Sequence, residues 1–172
     1  MSGVEIVRQA VVQCLQAGGL RAEAAYSREM AAAYEETVIA VGVRSCGTAP
    51  AGFDSYLGER YDEKTASYQE QYGRRAELTI VLYAYAPRSV GAKGCGEALE
   101  AAHDLLTATA PAGLQVGEMD WGEVGVDRDT GMFLQQGSLR CSASFVAVVQ
   151  EETGLLLSFR LKGVPLLEHD HT

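Results

Sequence analysis

AELTIVLYAYA (residues 76–86) is apolar on both of the faces that a β-strand would present. Leu78 and Ile80 fall on one face of such a strand. Val81 and Tyr83 fall on the other face, because successive side chains of a strand point to opposite sides. A strand that is apolar on both faces is covered on both, as the central strands of a sheet are. We therefore predict a central strand here, with the rest of the sheet built around it.

The first helix is predicted to begin at Ser2, because Ser2 and Glu5 form the S-x-x-E pattern that satisfies free amides at a helix start. Apolar residues recur at helical spacing as far as Leu15, and Gly18 is expected to end the helix. The same kind of spacing predicts a second helix over residues 97–109. Alternating or β-branched runs predict further strands at residues 37–46, 114–126, 138–149 and 155–161.

Residues 20–36 fit no single element, since this alanine-rich stretch could be a short strand, a helix or ordered coil. The remaining order is helix, strand, long connection, strand, helix and three strands. This order predicts an α+β fold: a single twisted, mostly antiparallel sheet with two helices packed on one side. One domain over residues 1–172 is expected, with the last three strands as an antiparallel meander and residues 163–172 as a loose tail.

Residues 47–75 are predicted to form a long polar connection rich in tyrosine, glutamate and glutamine. Compact domains rarely carry a connection of this length unless it serves binding or assembly. The alternative, which is compatible with such a role, is a long hairpin whose arms project from the core. The candidate residues for a subunit interface are Tyr56, Tyr61, Tyr68, Tyr72, Arg74 and Arg75.

Composition and charge disfavour several classes of protein. The hydrophobic fraction of 47% and the charged fraction of 22% are those of a globular domain, which argues against a disordered or membrane protein. The net charge of -9 disfavours a nucleic-acid binder, because affinity for the phosphate backbone comes mainly from lysine and arginine. Residues 1–5 lack the basic and then apolar pattern of a secretory signal, so a cytoplasmic location is expected.

The four cysteines are widely spaced and contain no C-x-x-C pair, so neither a zinc knuckle nor a redox motif is predicted. In a cytoplasmic domain of this size all four are expected to be reduced and unpaired. They are Cys14, Cys46, Cys95 and Cys141.

The loop Gly91–Gly96 lies between a predicted strand and a predicted helix, where backbone amides can hold a phosphate. Its glycine spacing matches neither the P-loop nor the dinucleotide-binding pattern. A simple turn is therefore favoured, and a small-molecule-binding module or an enzyme using this loop is the less favoured alternative.

Two other polar clusters resemble metal sites only in part. Asp127–Gly131 suggests a calcium loop, but its glycine is one position early and Ser138 stands where a glutamate is needed. His169 and His171 lie in the polar tail, which offers no rigid surroundings for a metal. No metal and no cofactor is therefore expected.

Hydrolytic chemistry also has little support in the sequence. His103 lies on the predicted second helix, but nothing singles out a nucleophile among Ser138, Cys141 and Ser142. The carboxylates of Glu118–Asp120 are flanked by glycines and are expected to form a solvated acidic face. We therefore expect no catalytic residue, and the chain is not expected to be an enzyme.

Five short stretches of this sequence resemble small tail proteins encoded in prophages of Firmicutes, the phage tail-terminator and tail-completion subunits. The likeness covers roughly residues 3 to 162, and it contains no catalytic motif. The stretches are AGF at 51–53, YLG at 56–58, YGRRAEL at 72–78, GMF at 131–133 and GSLRC at 137–141.

The resemblance implies an α+β subunit that forms a ring, typically a hexamer, at the head-proximal end of a tail tube. Such a ring stops tube growth and joins the tube to the head, so the implied partners are further copies, the tail tube protein and a head-completion or connector protein. The implied location is the host bacterial cytoplasm during assembly and then the virion tail. An acidic protein that does not bind DNA suits this role, and a head–tail connector or stopper is the neighbouring alternative.

Overall fold

The computed structural model describes residues 2–24, 34–50, 56–150 and 155–161. Phe53, most of the open stretch 20–36 and the tail 163–172 with both of its histidines lie outside the described residues. In chain order the elements are α1 (Gly3–Ala17), β1 (Ala22–Glu23), β2 (Val38–Pro50), β3 (Tyr56–Asp62), β4 (Ser67–Ala86), α2 (Lys93–Ala108), β5 (Leu114–Trp121), β6 (Gly125–Val126), β7 (Phe133–Gln150) and β8 (Leu155–Leu161).

Two long strands form the centre of the sheet. β4 has 20 residues and β7 has 18, and they pair antiparallel without a break from Gln69–Gln150 to Ala86–Phe133. β2 and β3 pair with the other edge of β4, while β5, β6 and β8 pair with the other edge of β7. β1 joins β2 in parallel, and the other pairs are antiparallel.

Both helices pack on one side of this sheet, which confirms the predicted α+β class. Because the β4 to β7 register is unbroken, alternate residues of β4 share a face, and those from Ala76 to Ala86 with even numbers enter the main core. Leu99 and Leu106 of α2 and Val7 of α1 are fully buried in the same core. The opposite face carries a smaller cluster of Tyr34, Val38 and Met132, with Tyr85 packed against it.

The start of α1 has half of the predicted capping box. The Ser2 hydroxyl accepts a hydrogen bond from the Glu5 amide at 3.3 Å. The Glu5 carboxylate bonds to the side chains of Arg8 and Gln9. Glu5 therefore also stabilises the first turn through partners further along the helix.

The prediction of a loop over residues 47–75 is wrong, and the hairpin alternative describes this segment. β2 continues to Pro50, β3 follows at Tyr56, and β4 already begins at Ser67. These strands lie beyond the part of the sheet that packs against the helices. They therefore have no face in the described part of the main core, and their sequence shows no alternation of polar and apolar residues. Pairing with β7 and β3 supplies the backbone hydrogen bonds that make these polar segments strands.

Other parts of the predicted arrangement also differ from the structure. The predicted strand 114–126 is divided into β5 and β6, and β7 begins earlier, at Phe133. The predicted meander is also wrong, because β5 and β8 lie along the same edge of β7 and β4 occupies its other edge. β7 is long enough to take three short strands end to end on one side, in the order β6, β5 and β8. In the open stretch 20–36, the structure places the two-residue strand β1 at Ala22–Glu23.

The cysteines are expected to differ sharply in reactivity. All four are free thiols; Cys46 is exposed, whereas Cys95 and Cys141 are buried. Burial raises the pKa of the Cys95 thiol and raises that of Cys141 to about 12, so both thiols stay protonated at pH 8. Iodoacetamide at pH 8 should therefore label Cys46 first and label Cys95 and Cys141 only after unfolding. Rapid labelling of either buried cysteine in the native protein would contradict this arrangement of the core.

Candidate functional site

The sheet continues past the helices into a part that we call the extension: β3, residues 67–75 of β4, residues 146–150 of β7 and the part of β8 that pairs with them. Among the described residues, the main core includes Ala76 of β4 but none of residues 67–75. The described part of the main core therefore ends at Ala76 of β4, and β3 with residues 67–75 of β4 lies beyond it.

Four tyrosines lie on the helix side of the sheet in the extension, and we call them the tyrosine face: Tyr56, Tyr61, Tyr68 and Tyr72. Tyr68 and Tyr72 have the same parity along β4 as the core residues Ala76 and Leu78, which places them on the helix side of the sheet. Tyr56 is the cross-strand partner of Tyr72, and Tyr61 is the partner of Tyr68.

The tyrosine rings form two edge-to-face pairs. The ring centroids of Tyr56 and Tyr72 are 5.5 Å apart, and those of Tyr61 and Tyr68 are 5.2 Å apart. Such cross-strand aromatic pairs fix the orientation of the rings. The rings are nevertheless open to solvent, since Tyr61 is 50% and Tyr68 is 54% exposed. The face therefore presents aromatic surface of fixed geometry to solvent.

A β-bulge in β3 brings the two pairs onto one face. Tyr56 and Tyr61 are an odd number of positions apart, so a regular strand would point them to opposite sides. The register shifts between Tyr56 and Gly58, and Leu57 is the extra residue. Gly58 has a φ of +118°, a conformation that glycine adopts without steric cost. Sequence reasoning missed Leu57, which is 48% exposed beside the tyrosine face.

The two candidate arginines lie on opposite faces of β4, so the structure does not bring both to the tyrosine face. Arg74 shares the parity of Tyr72 and is exposed on that face. Arg75 points to the other face, where its Nε lies 2.9 Å from Glu77 Oε1. Both members of that ion pair are more than half exposed, so the pair contributes at most about 1 kcal/mol to stability. Of the two, only Arg74 is placed to act with the tyrosines.

The turn between β3 and β4 is held by the Asp62 carboxylate. It accepts hydrogen bonds from the Lys64 amide, the Thr65 hydroxyl and the Gln69 side-chain amide. The bond from the Lys64 amide, followed by that from Thr65, holds the pKa of Asp62 below its usual value. The turn is therefore held at neutral pH, and these bonds are lost only as pH falls through the lowered pKa.

Comparison with known proteins finds no protein-family model that matches this sequence and no curated protein similar to it. Function must therefore be inferred from the residues and their geometry.

The glycines of the Gly91–Gly96 loop have a packing role. A Cβ on Gly94 would lie 2.6 Å from a methyl of Val90 and 3.1 Å from the Thr37 hydroxyl, so the start of α2 can approach the sheet only with glycine here. Gly91 has a φ of +89°, which the turn before α2 requires. Close packing and turn geometry therefore explain two of the three glycines in this loop, and an anion-binding role is not needed to explain them.

The other polar clusters are engaged in local structure. The Asp127 carboxylate accepts hydrogen bonds from the amide and the hydroxyl of Thr130, which closes the turn that resembled a calcium loop. Within the described ranges, no group of three or more His, Cys, Asp or Glu side chains could hold a metal ion. Glu118 is exposed and lies 4.0 Å from the exposed Arg140, as expected for a solvated acidic face.

The candidate nucleophiles are not paired with His103. Ser138 accepts a hydrogen bond from Arg44, and Ser142 donates to the Gln115 side chain. Cys141 is buried and its raised pKa keeps it neutral. Among the described hydrogen bonds, none joins His103 to any of these three residues.

In the part of the chain that the structure describes, no helix is long and apolar enough to cross a membrane.

Proposed function

We propose that this chain is a structural subunit of a phage or prophage tail, which forms a hexameric ring that ends the tail tube and joins it to the head. Its partners in this proposal are further copies of itself, the tail tube protein and a head-completion or connector protein. It acts in the bacterial cytoplasm during assembly and then in the virion tail.

The tyrosine face is the observation that carries this proposal. Single apolar residues on a surface are ordinary, but here two tyrosine pairs lie on one sheet face, and Tyr56, Tyr61 and Tyr68 are each about half exposed. Tyrosine is enriched in protein interfaces, because its ring supplies apolar contact area and its hydroxyl can still bond to water or a partner. A protein partner is therefore the occupant that fits this face.

The charges beside the tyrosines favour another copy of this chain as that partner. Glu59 and Glu70 are cross-strand neighbours on the tyrosine face, and Arg74 is exposed on the same face. The chain carries a net charge of -9, so a second copy offers carboxylates to Arg74. Contact between this face and a different surface of the neighbour is heterologous, and heterologous contacts make a ring when their rotation closes. The number of six comes from the family resemblance.

Reversal of the charge at Arg74 tests this arrangement. In Arg74→Glu the cation on the tyrosine face is replaced by an anion that repels the neighbour, so we expect assembly to weaken by about tenfold or more. Arg75→Glu is the matched control, since it makes the same change one residue away on the opposite face. Sedimentation velocity over a range of protein concentrations, together with electron microscopy of the protein mixed with its tail tubes, measures ring formation.

Equal weakening by both substitutions, or by neither, would show that the tyrosine face is not the contact. The role in the tail is tested separately by deletion of the gene in a phage or prophage. The proposal expects unjoined heads and tails with tubes of abnormal length. Unjoined tails of normal length would indicate a connector instead, and normal head-attached tails would reject both roles. Turnover of a nucleotide or an ester by the pure protein would move the chain to the enzyme class.

A further inference from the structure

The large apolar side chains that are exposed in the described part of the chain form two groups, which lie at opposite ends of the sheet. One group is in the extension and consists of Leu57 and three of the tyrosines. Trp121, which is 41% exposed and is the only tryptophan of the chain, belongs to the other group. This second group lies around the end where β4 finishes and β7 begins, and we call it the tryptophan end: Val90, Trp121, Val124 and Val126.

The two ends of one copy are too far apart to touch each other. Trp121 pairs with Gly137 of β7. Tyr72 lies opposite Ala147, ten positions further along the same strand, which is about 34 Å at 3.4 Å per residue. Both side chains lie on the helix side of the sheet, since Met119, two residues before Trp121, packs against the main core. A contact between the tyrosine face and the tryptophan end therefore needs two copies.

The charges on the tyrosine face disfavour contact with the same face of a second copy. Glu59 and Glu70 are cross-strand partners between the two tyrosine pairs, so their carboxylates lie near the centre of the face. A two-fold axis through this centre would bring the carboxylates of both copies together, and like charges repel. A neighbour that fits must instead offer a cation to these carboxylates and a carboxylate to Arg74.

The tryptophan end carries both of these charges. Glu123 and Arg128 follow Trp121 closely in the chain, and both are exposed. Among the ion pairs of the described residues, none includes Glu123, Arg128 or Arg74. We infer that the tyrosine face of one copy binds the tryptophan end of the next, with Trp121 against the tyrosine rings and Glu123 beside Arg74. This inference rests on the function proposed above, because it names the second surface of the same ring contact.

Trp121 is expected to carry most of the binding energy at the tryptophan end. Tryptophan and tyrosine are enriched at interface hot spots, whereas valine is under-represented there. Trp121→Ser should therefore weaken association by about thirtyfold or more, and Val126→Ser, at the edge of the contact, by less than about threefold. Sedimentation velocity at matched concentrations measures both, and circular dichroism shows that each variant is folded.

An exchange of charges tests the contact without altering its apolar part. Glu123→Arg places a cation beside Arg74 and should weaken association by about tenfold or more. Glu123→Arg together with Arg74→Glu restores the pair with its charges exchanged, so association should return to within about threefold of that of the unmodified protein. Asp120→Arg is the matched control, because Asp120 is exposed on the opposite face of β5 from Trp121. It should neither weaken association nor restore that of Arg74→Glu.

Normal association of either Trp121→Ser or Glu123→Arg, or failure of the double charge variant to recover, would overturn this inference. If Trp121→Ser does not fold, the charge exchange alone decides. Rings formed by the unmodified protein would in that case still support the proposed function, and the tyrosine face would bind another surface. If the unmodified protein forms no ring even with its tail tubes present, the proposed function and this inference fail together.

Discussion

A subunit with serine in place of both Tyr61 and Tyr68 is expected to fold normally and to lose ring assembly. The two rings form one of the edge-to-face pairs, and half of each ring is open to a partner. Tyrosines that act as hot spots of an interface cost about 2 kcal/mol or more each when truncated, so the association constant should fall by a factor of roughly 1,000 if the two losses add. Sedimentation velocity on the variant and the unmodified protein, at the same concentrations, measures this loss.

The free subunit should be nearly as stable as before. An exposed aromatic pair contributes only about 0.5 to 1.5 kcal/mol to the fold, so the urea midpoint of the monomer moves little. Val126→Ser is the matched control, because Val126 is 53% exposed but lies on β6, away from the tyrosine face. If Val126→Ser weakens assembly as much as the double substitution does, general surface hydrophobicity drives association and the tyrosine face has no special part.

Replacement of Leu99 by alanine is expected to lower the free energy of unfolding by about 2 to 5 kcal/mol, the usual cost of truncating a fully buried leucine. Leu99 is 0% exposed and lies where α2 packs on β7. Its Cδ2 atom would be 3.3 Å from a Cβ placed on Gly137, so the side chain fills the space that this glycine leaves. Urea unfolding followed by circular dichroism measures the change.

Glu100→Ala is the control for this substitution, since Glu100 is the next residue of α2 and is exposed. A surface change of this kind should stay within about 0.5 kcal/mol. A loss below 1 kcal/mol for Leu99→Ala would mean that α2 does not pack on the sheet as described.

The core elements could be predicted from the sequence because their patterns are local. Leu78, Ile80 and Leu82 alternate along β4, and the apolar positions of α1 recur at helical spacing. The start of β7 was missed, because Gln135 and Gln136 are polar. Gln135 is nevertheless buried, and its side-chain amide bonds to the Gly122 carbonyl at 2.7 Å. When a polar residue is buried because it bonds to a residue distant in sequence, the neighbouring residues show no hydrophobic pattern that would predict its burial.

The candidate site could be predicted only as a set of residues. The tyrosines and the two arginines were visible in the sequence, but their faces depend on the register of β4 with β3 and β7. The bulge at Leu57 changes the face on which Tyr56 lies. The sequence of residues 47–75 does not show where such a bulge will form. Arg74 and Arg75 lie on opposite faces simply because they are neighbours in a strand, which the prediction of a loop had hidden.

The strands β4 and β7 form one continuous ladder along the whole length of the sheet. At about 3.4 Å per residue, the 18 residues of β7 span about 60 Å, from the end that carries α2 to the end that carries the tyrosines. The register of β4 with β7 has no bulge along this length, so the tyrosine face and the helix-covered part belong to one continuous ladder. In the proposed ring, the twist of this sheet would fix how the tyrosine face of each subunit is turned relative to its own helices, which is one of the two orientations that determine ring closure.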